Sequence, residues 1–241
     1  MIYHPDESLM LHHFIRPEHL IALLERRALH LMRQDLQSDP TDGILPAACF
    51  DRPFLGPVEQ MLGLNPSFLQ SQASAIAALR PRTFIMSWTL TPSARMRATY
   101  GENGQRCELQ ISTLSLKKLI GYEWLQGNEF PPKPKAIAEI AGATATAQLK
   151  DPLYTDGARA ISVVPSYFAT AHKGEQYAEE NEVRIEAVIR PENLPVGSED
   201  KLIRWPIASF TGLGISLPGQ IPSATAARIS ALLAELEIRT G

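Results

Sequence analysis

Nineteen of the 241 residues are proline, and their placing limits how long any regular element of this chain can be. Each proline removes a backbone donor and fixes φ, so it is tolerated in a helix's first turn, in a turn or at a strand edge, and not inside a long element. The run Phe130-Pro131-Pro132-Lys133-Pro134-Lys135 cannot continue a helix. It reads as a linker near 130–135, at which two lobes of a single domain over 1–241 would separate. Prolines at 191, 195, 206, 218 and 222 cut the C-terminal part into short pieces.

Between these breaks the periodicities are legible. Pro17 suits a first helical turn, and Leu20, Ile21, Leu24 and Ala28 share one face, which predicts a helix over 17–27. Met10–Ile15 before it and Ala28–Gln34 after it read as strands. Ser38-Asp39-Pro40-Thr41-Asp42-Gly43 is a shaped turn, because Asp bonds local backbone, Pro fixes φ and Gly tolerates positive φ. Asn65-Pro66 predicts a capped helix reaching about Leu79. Thr83–Trp88 reads as a buried strand, and Arg106–Ser112 alternates, with Cys107, Leu109 and Ile111 on one face. Thr113 is placed to cap a helix that buries Leu116, Leu119 and Ile120. Ala136–Leu149 has helical composition, while Ile161–Val164 and Val183–Ile189 read as strands. Ser223 is placed to cap a last helix with the stripe Ile229, Leu232, Leu233 and Leu236. Helices and strands mix without a repeated βα unit, so the class is α+β.

Lys and Arg number 23 against 26 Asp and Glu, a formal charge of −3, so no chain-wide basic excess exists to hold a polyanion. With 44% hydrophobic and 20% charged residues, the composition is that of a folded chain and not a disordered one. The longest apolar stretch near the start, Leu20–Leu24, is far short of a membrane span, and Met1–Phe14 lacks the pattern of a secretory signal. Two cysteines, Cys49 and Cys107, are too few to staple a secreted scaffold. A cytoplasmic protein without a membrane partner is expected.

Several chemistries are not supported. No glycine-rich loop marks a Rossmann or Walker site, and no Gly-x-Ser-x-Gly elbow occurs. The six histidines show no metal-ligand spacing, so no metal is expected. Four pieces remain. His12 and His13 sit on the first strand, where they must face opposite ways, so at most one enters a given cleft. Ser87, Thr89 and Thr91 alternate along the central strand and are followed by Arg95, Arg97 and Tyr100. Asp39 and Asp42 lie in the turn, where local turn chemistry accounts for them. Last, Glu180 and Glu182 open the strand Val183–Ile189, with Glu182, Arg184 and Glu186 on one face. A carboxylate there can bond a ribose hydroxyl and stabilise developing positive charge; as a Glu–Arg surface pair it would do neither.

Taken in order, His12-His13-Phe14 through Leu29-His30-Leu31, Ser38-Asp39-Pro40, Ser87-Trp88 through Met96 and Tyr100-Gly101, and Glu180-Asn181-Glu182-Val183-Arg184 resemble a bacterial domain family of unknown function. The same order is more distantly similar to the ADP-ribosyltransferase fold, which implies a mixed or antiparallel sheet core with flanking helices. That resemblance implies NAD as substrate, His13 or His12 holding NAD, Ser87 as a supporting hydroxyl and Tyr100 stacking on a ring. It further implies Glu182 as catalytic carboxylate, with Glu180 steering a macromolecular acceptor, nucleic acid or protein, in a toxin or defence setting. Arg95 and Arg97 are the candidate patch for a nucleic-acid acceptor. The competing expectation is a non-catalytic module that binds a nucleotide or a protein. The two differ in geometry: an enzyme needs a His, Ser87 and Glu182 around one concavity.

Overall fold

A computed structural model describes residues 8–40, 42–44, 78, 80–102, 104–120, 145–150, 153–155, 172–174, 179–189, 201–207 and 209–240. The expected helix after Asn65, the linker near 130–135 and the strand Ile161–Val164 lie outside the described residues.

The first strand, β1 (Met10–Ile15), leads into α1 (Pro17–Arg26), which Pro17 opens as expected. Arg27 ends the helix in the left-handed region, φ 50°, its N–H returning to the Leu23 and Leu24 carbonyls. Strand β2 (Ala28–Arg33) follows at once, then a short 3₁₀ turn over Gln34–Leu36. Next come β3 (Thr83–Thr89), α2 (Ala94–Tyr100), β4 (Cys107–Ser112) and α3 (Thr113–Leu119). The remaining strands are β5 (Ala145–Lys150), β6 (Leu153–Thr155), β7 (His172–Gly174), β8 (Glu182–Ile189), β9 (Leu202–Pro206), β10 (Gly214–Ser216) and β11 (Arg239–Thr240), with α4 (Ser223–Glu235) between the last two.

Three expectations are corrected. Ser112, not Thr113, caps α3, its hydroxyl accepting from the Ser115 N–H at 3.1 Å; the Thr113 hydroxyl is instead drawn to the Leu9 carbonyl at 3.1 Å. At α4 the cap position is Pro222 and Ser223 is already helical, with no side-chain cap bond. The helical composition of Ala136–Leu149 does not carry through its end, because Ala145–Lys150 pairs along β8 as a strand.

Among the described residues nine strands form one sheet and β6 with β7 a small parallel pair. Within the large sheet every pairing is antiparallel except β10 with β11. The sheet forks at β3. One edge of β3 runs its full length against β8, from Thr83 opposite Val188 to Thr89 opposite Glu182. The other edge is shared: β2 takes its start, with Arg33 opposite Phe84, and β1 takes its end, with His12 opposite Thr89. Beyond β1 lie β4, β10 and β11, and beyond β2 lies β9.

On one face of the sheet Leu11, Trp88, Leu109, Ile111, Val183 and Ile185 are buried, and Leu20, Leu23 and Leu24 of α1 with Ile229, Leu232 and Leu233 of α4 join the same core. Apolar area removed from water on this scale supplies the main stabilisation. Among the described residues no helix is long and apolar enough to cross a membrane.

Candidate functional site

The opposite face carries the polar residues. The register places Glu182, Thr89, His12 and Gln110 side by side on β8, β3, β1 and β4, one row across four strands. The next row holds Arg184 beside Ser87, and Phe14 lies beside Glu108. An open cleft of about 210 Å³ lies over these rows. His12, His13, Ser87, Tyr100, Glu180 and Glu182 all line it, together with Asp39, Asp42, Met96 and Arg106. Thr91, Arg95 and Arg97, which follow Ser87 along the chain, are not among the residues that line it.

The two histidines do point to opposite faces, yet both reach the cleft, against expectation. The reason is the fork. Where β1 and β2 part along β3, the Ser87 carbonyl is left for a side chain, and His13 Nδ1 bonds it at 2.8 Å with the ring 5.3 Å from that of Trp88. A carbonyl only accepts, so Nδ1 carries the proton and Nε2 is an acceptor. Burial holds the ring's pKa down at about 4; the Ser87 bond raises it and the Arg106 charge lowers it further. His12 is fixed differently, its Nδ1 lying 2.7 Å from Glu108 Oε1, whose other oxygen accepts from Arg97 Nη1 at 2.5 Å.

The Glu–Arg pair is not on the surface. Arg184 is fully buried, and its Nε bonds Glu182 Oε1 at 2.6 Å and its Nη2 bonds Oε2 at 3.2 Å. Its outer edge grips Asp42, Nη1 to Oδ1 at 2.8 Å and Nη2 to Oδ2 at 2.5 Å. Burial opposes the guanidinium's charge, and the two carboxylates more than offset it, so Arg184's pKa lies above its ordinary value. Gln34 Nε2 adds a bond to Asp42 Oδ1 at 2.6 Å. Turn chemistry alone does not explain Asp42, since its loop is pinned onto β8 by this cluster. Gly43 makes the pinning possible: its φ is 73°, and a Cβ there would meet the Gln34 amide at 2.6 Å.

On the facing wall, Thr89 Oγ1 donates to the Glu180 carbonyl at 2.5 Å and the Tyr100 hydroxyl donates to Glu180 Oε1. Arg95 and Arg97 are not among the residues that line the cleft. Arg97 is held by Glu108, and Arg95 lies 3.5 Å from Glu179 with both side chains mostly in solvent. Sequence reasoning missed Arg106, at the turn before β4. Its signal was alternation, which sets Arg106 on the face of Glu108 and Gln110, but that pattern alone gave it no role. Burial, with Glu18 adding to it, pushes the Cys107 thiol up to about 11, which unsuits it as a nucleophile. Among the described residues no group of three or more His, Cys, Asp and Glu side chains is placed to hold a metal ion.

Comparison with protein-family profiles, with curated proteins and with solved structures finds no match for this chain.

Proposed function

We propose that this cleft binds NAD in an ADP-ribosyltransferase-like fold and transfers ADP-ribose to a macromolecular acceptor. In that reaction the bond from the ribose C1′ to the nicotinamide nitrogen breaks, and nicotinamide leaves neutral with the electron pair. The acceptor's nucleophile then bonds C1′ and loses its proton. The observation that carries the reading is convergence: His12 and His13 of β1, Ser87 of β3, Tyr100 of α2, Glu180 and Glu182 of β8's entrance border one cleft. Glu182 is kept anionic by Arg184, the state that stabilises positive charge growing at C1′. Neutral His13 offers a lone pair to a ribose hydroxyl, and Tyr100, 40% exposed, offers a ring face.

Calorimetric titration with NAD, with nicotinamide release measured in the same sample, tests this. Glu182→Gln is expected to lower release by about 10²-fold, the size typical for loss of one transition-state electrostatic partner. Because the substitution also weakens a buried ion pair, Tyr100→Phe and Glu180→Gln, at less buried positions, are measured alongside. Wild-type protein that binds no NAD overturns the reading. One observation favours a second reading, a nucleotide-binding module without catalysis: both Glu182 oxygens already accept from Arg184. NAD binding with no nicotinamide release in wild type would select it.

A further inference from the structure

We propose that Arg106 is the phosphate-recognition residue of the cleft, so that the ligand class is a nucleotide carrying a diphosphate and not a free nucleoside. The inference rests on the NAD reading and adds to it a residue and a polarity. Four carboxylates, Asp39, Asp42, Glu180 and Glu182, border the cleft, whereas among the described lining residues Arg106 is the one arginine. Asp42 and Glu182 are matched by Arg184 behind them. An anionic part of a ligand is therefore repelled from most of the lining and drawn to one point.

Arg106 is built for that task. Its Nη2 donates to Glu102 Oε1, which also accepts from Arg16 Nη2 at 3.1 Å, so the guanidinium is held from its outer side. Its Nε is buried and has no partner. A guanidinium held by one carboxylate, on a residue that lines the cleft and keeps a buried donor unpartnered, can give a phosphate a charge-assisted hydrogen bond. The position is set by the turn after α2, where the Gly104, Gln105 and Arg106 N–H groups all converge on the Gly101 carbonyl. Glu102 follows Gly101 at φ 46°. On the sheet, Arg106 precedes β4 while Asp42 lies over β8, three inter-strand steps away, or about 14 Å. The cleft thus has an anionic end and a cationic end. A ligand with a pyridinium at one end and a diphosphate further along fits that order.

The Glu102–Arg106 pair is partly exposed, with 33% and 26% of the side chains in solvent, so Arg106 can be changed without removing a buried charge pair. The test is calorimetry of wild type, Arg106→Gln and Arg106→Lys against ADP-ribose and, separately, nicotinamide riboside. The expected result is that Arg106→Gln weakens ADP-ribose by about tenfold or more, leaves nicotinamide riboside within about twofold, and that Lys recovers part of the loss. Equal loss for both ligands, or no loss for ADP-ribose, overturns the proposal and leaves the NAD reading standing. Wild type that binds nicotinamide riboside but not ADP-ribose also overturns it alone. Wild type that binds neither ligand, nor NAD, removes both.

Discussion

His13 shows how one side chain can fix several properties at once. Its Nδ1 supplies the bond that the Ser87 carbonyl lacks where the ladder parts, and this sets the tautomer that faces the cleft. The folded ring protonates only near pH 4, against an ordinary value of 6.5. Between those values the unfolded chain binds the extra proton, so stability falls as pH drops through this window and gains nothing above it. Thermal melts from pH 7.5 to 5 should show that slope in wild type and a shallower one in His13→Gln. A ring titration by NMR with a midpoint near 6.5 would contradict the buried, bonded geometry. Arg184 is the other single residue that decides much. Arg184→Leu leaves Asp42 and Glu182 buried without their partner and is expected to cost about 3–5 kcal/mol, measurable by urea unfolding. Alternation correctly put Glu182, Arg184 and Glu186 on one face, but it could not show that the face is covered. The cover comes from the turn carrying Asp42, far away in sequence and joined only by charge pairing.

At the scale of elements, the strands that border the site were the most legible part. β1, β3, β4 and β8 announce themselves by alternation or apolar runs, and their observed bounds differ from the expected ones by a residue or so. The strand over Ala145–Lys150 was hidden because its residues suit a helix and it is a strand through pairing with β8, a tertiary choice that local propensity does not encode. Helix starts shifted by one residue because Ser112 and Thr113 both carry hydroxyls and only the neighbouring Leu9 carbonyl decides which one caps. The turn holding Asp42 offers a test at this scale. Gly43→Ala forces a side chain into positive φ, about 1–2 kcal/mol, and pushes against Gln34, so it should loosen Asp42 from Arg184. Chemical denaturation should show the loss, and a double substitution with Asp42→Asn should be less than additive.

For the molecule as a whole, α+β class followed from the absence of a repeated βα unit, whereas the fork in the sheet left no local trace. It depends on which strands share β3, and those partners come from distant parts of the chain. The convergence of these residues on one cleft is a property of this arrangement, which is why it could not be read from the residues taken separately.

The fork also sets a timetable for synthesis. The lining begins at His12 and is not complete until Glu182 and its partner Arg184 have been made, and β2 gains its outer neighbour only with β9. A nascent chain emerging N-terminus first holds β1 and α1 early, with nothing to close the cleft against. A chain stopped short of β8 therefore has the first wall of the cleft and not its last, so the concavity is assembled only after most of the chain has left the exit tunnel.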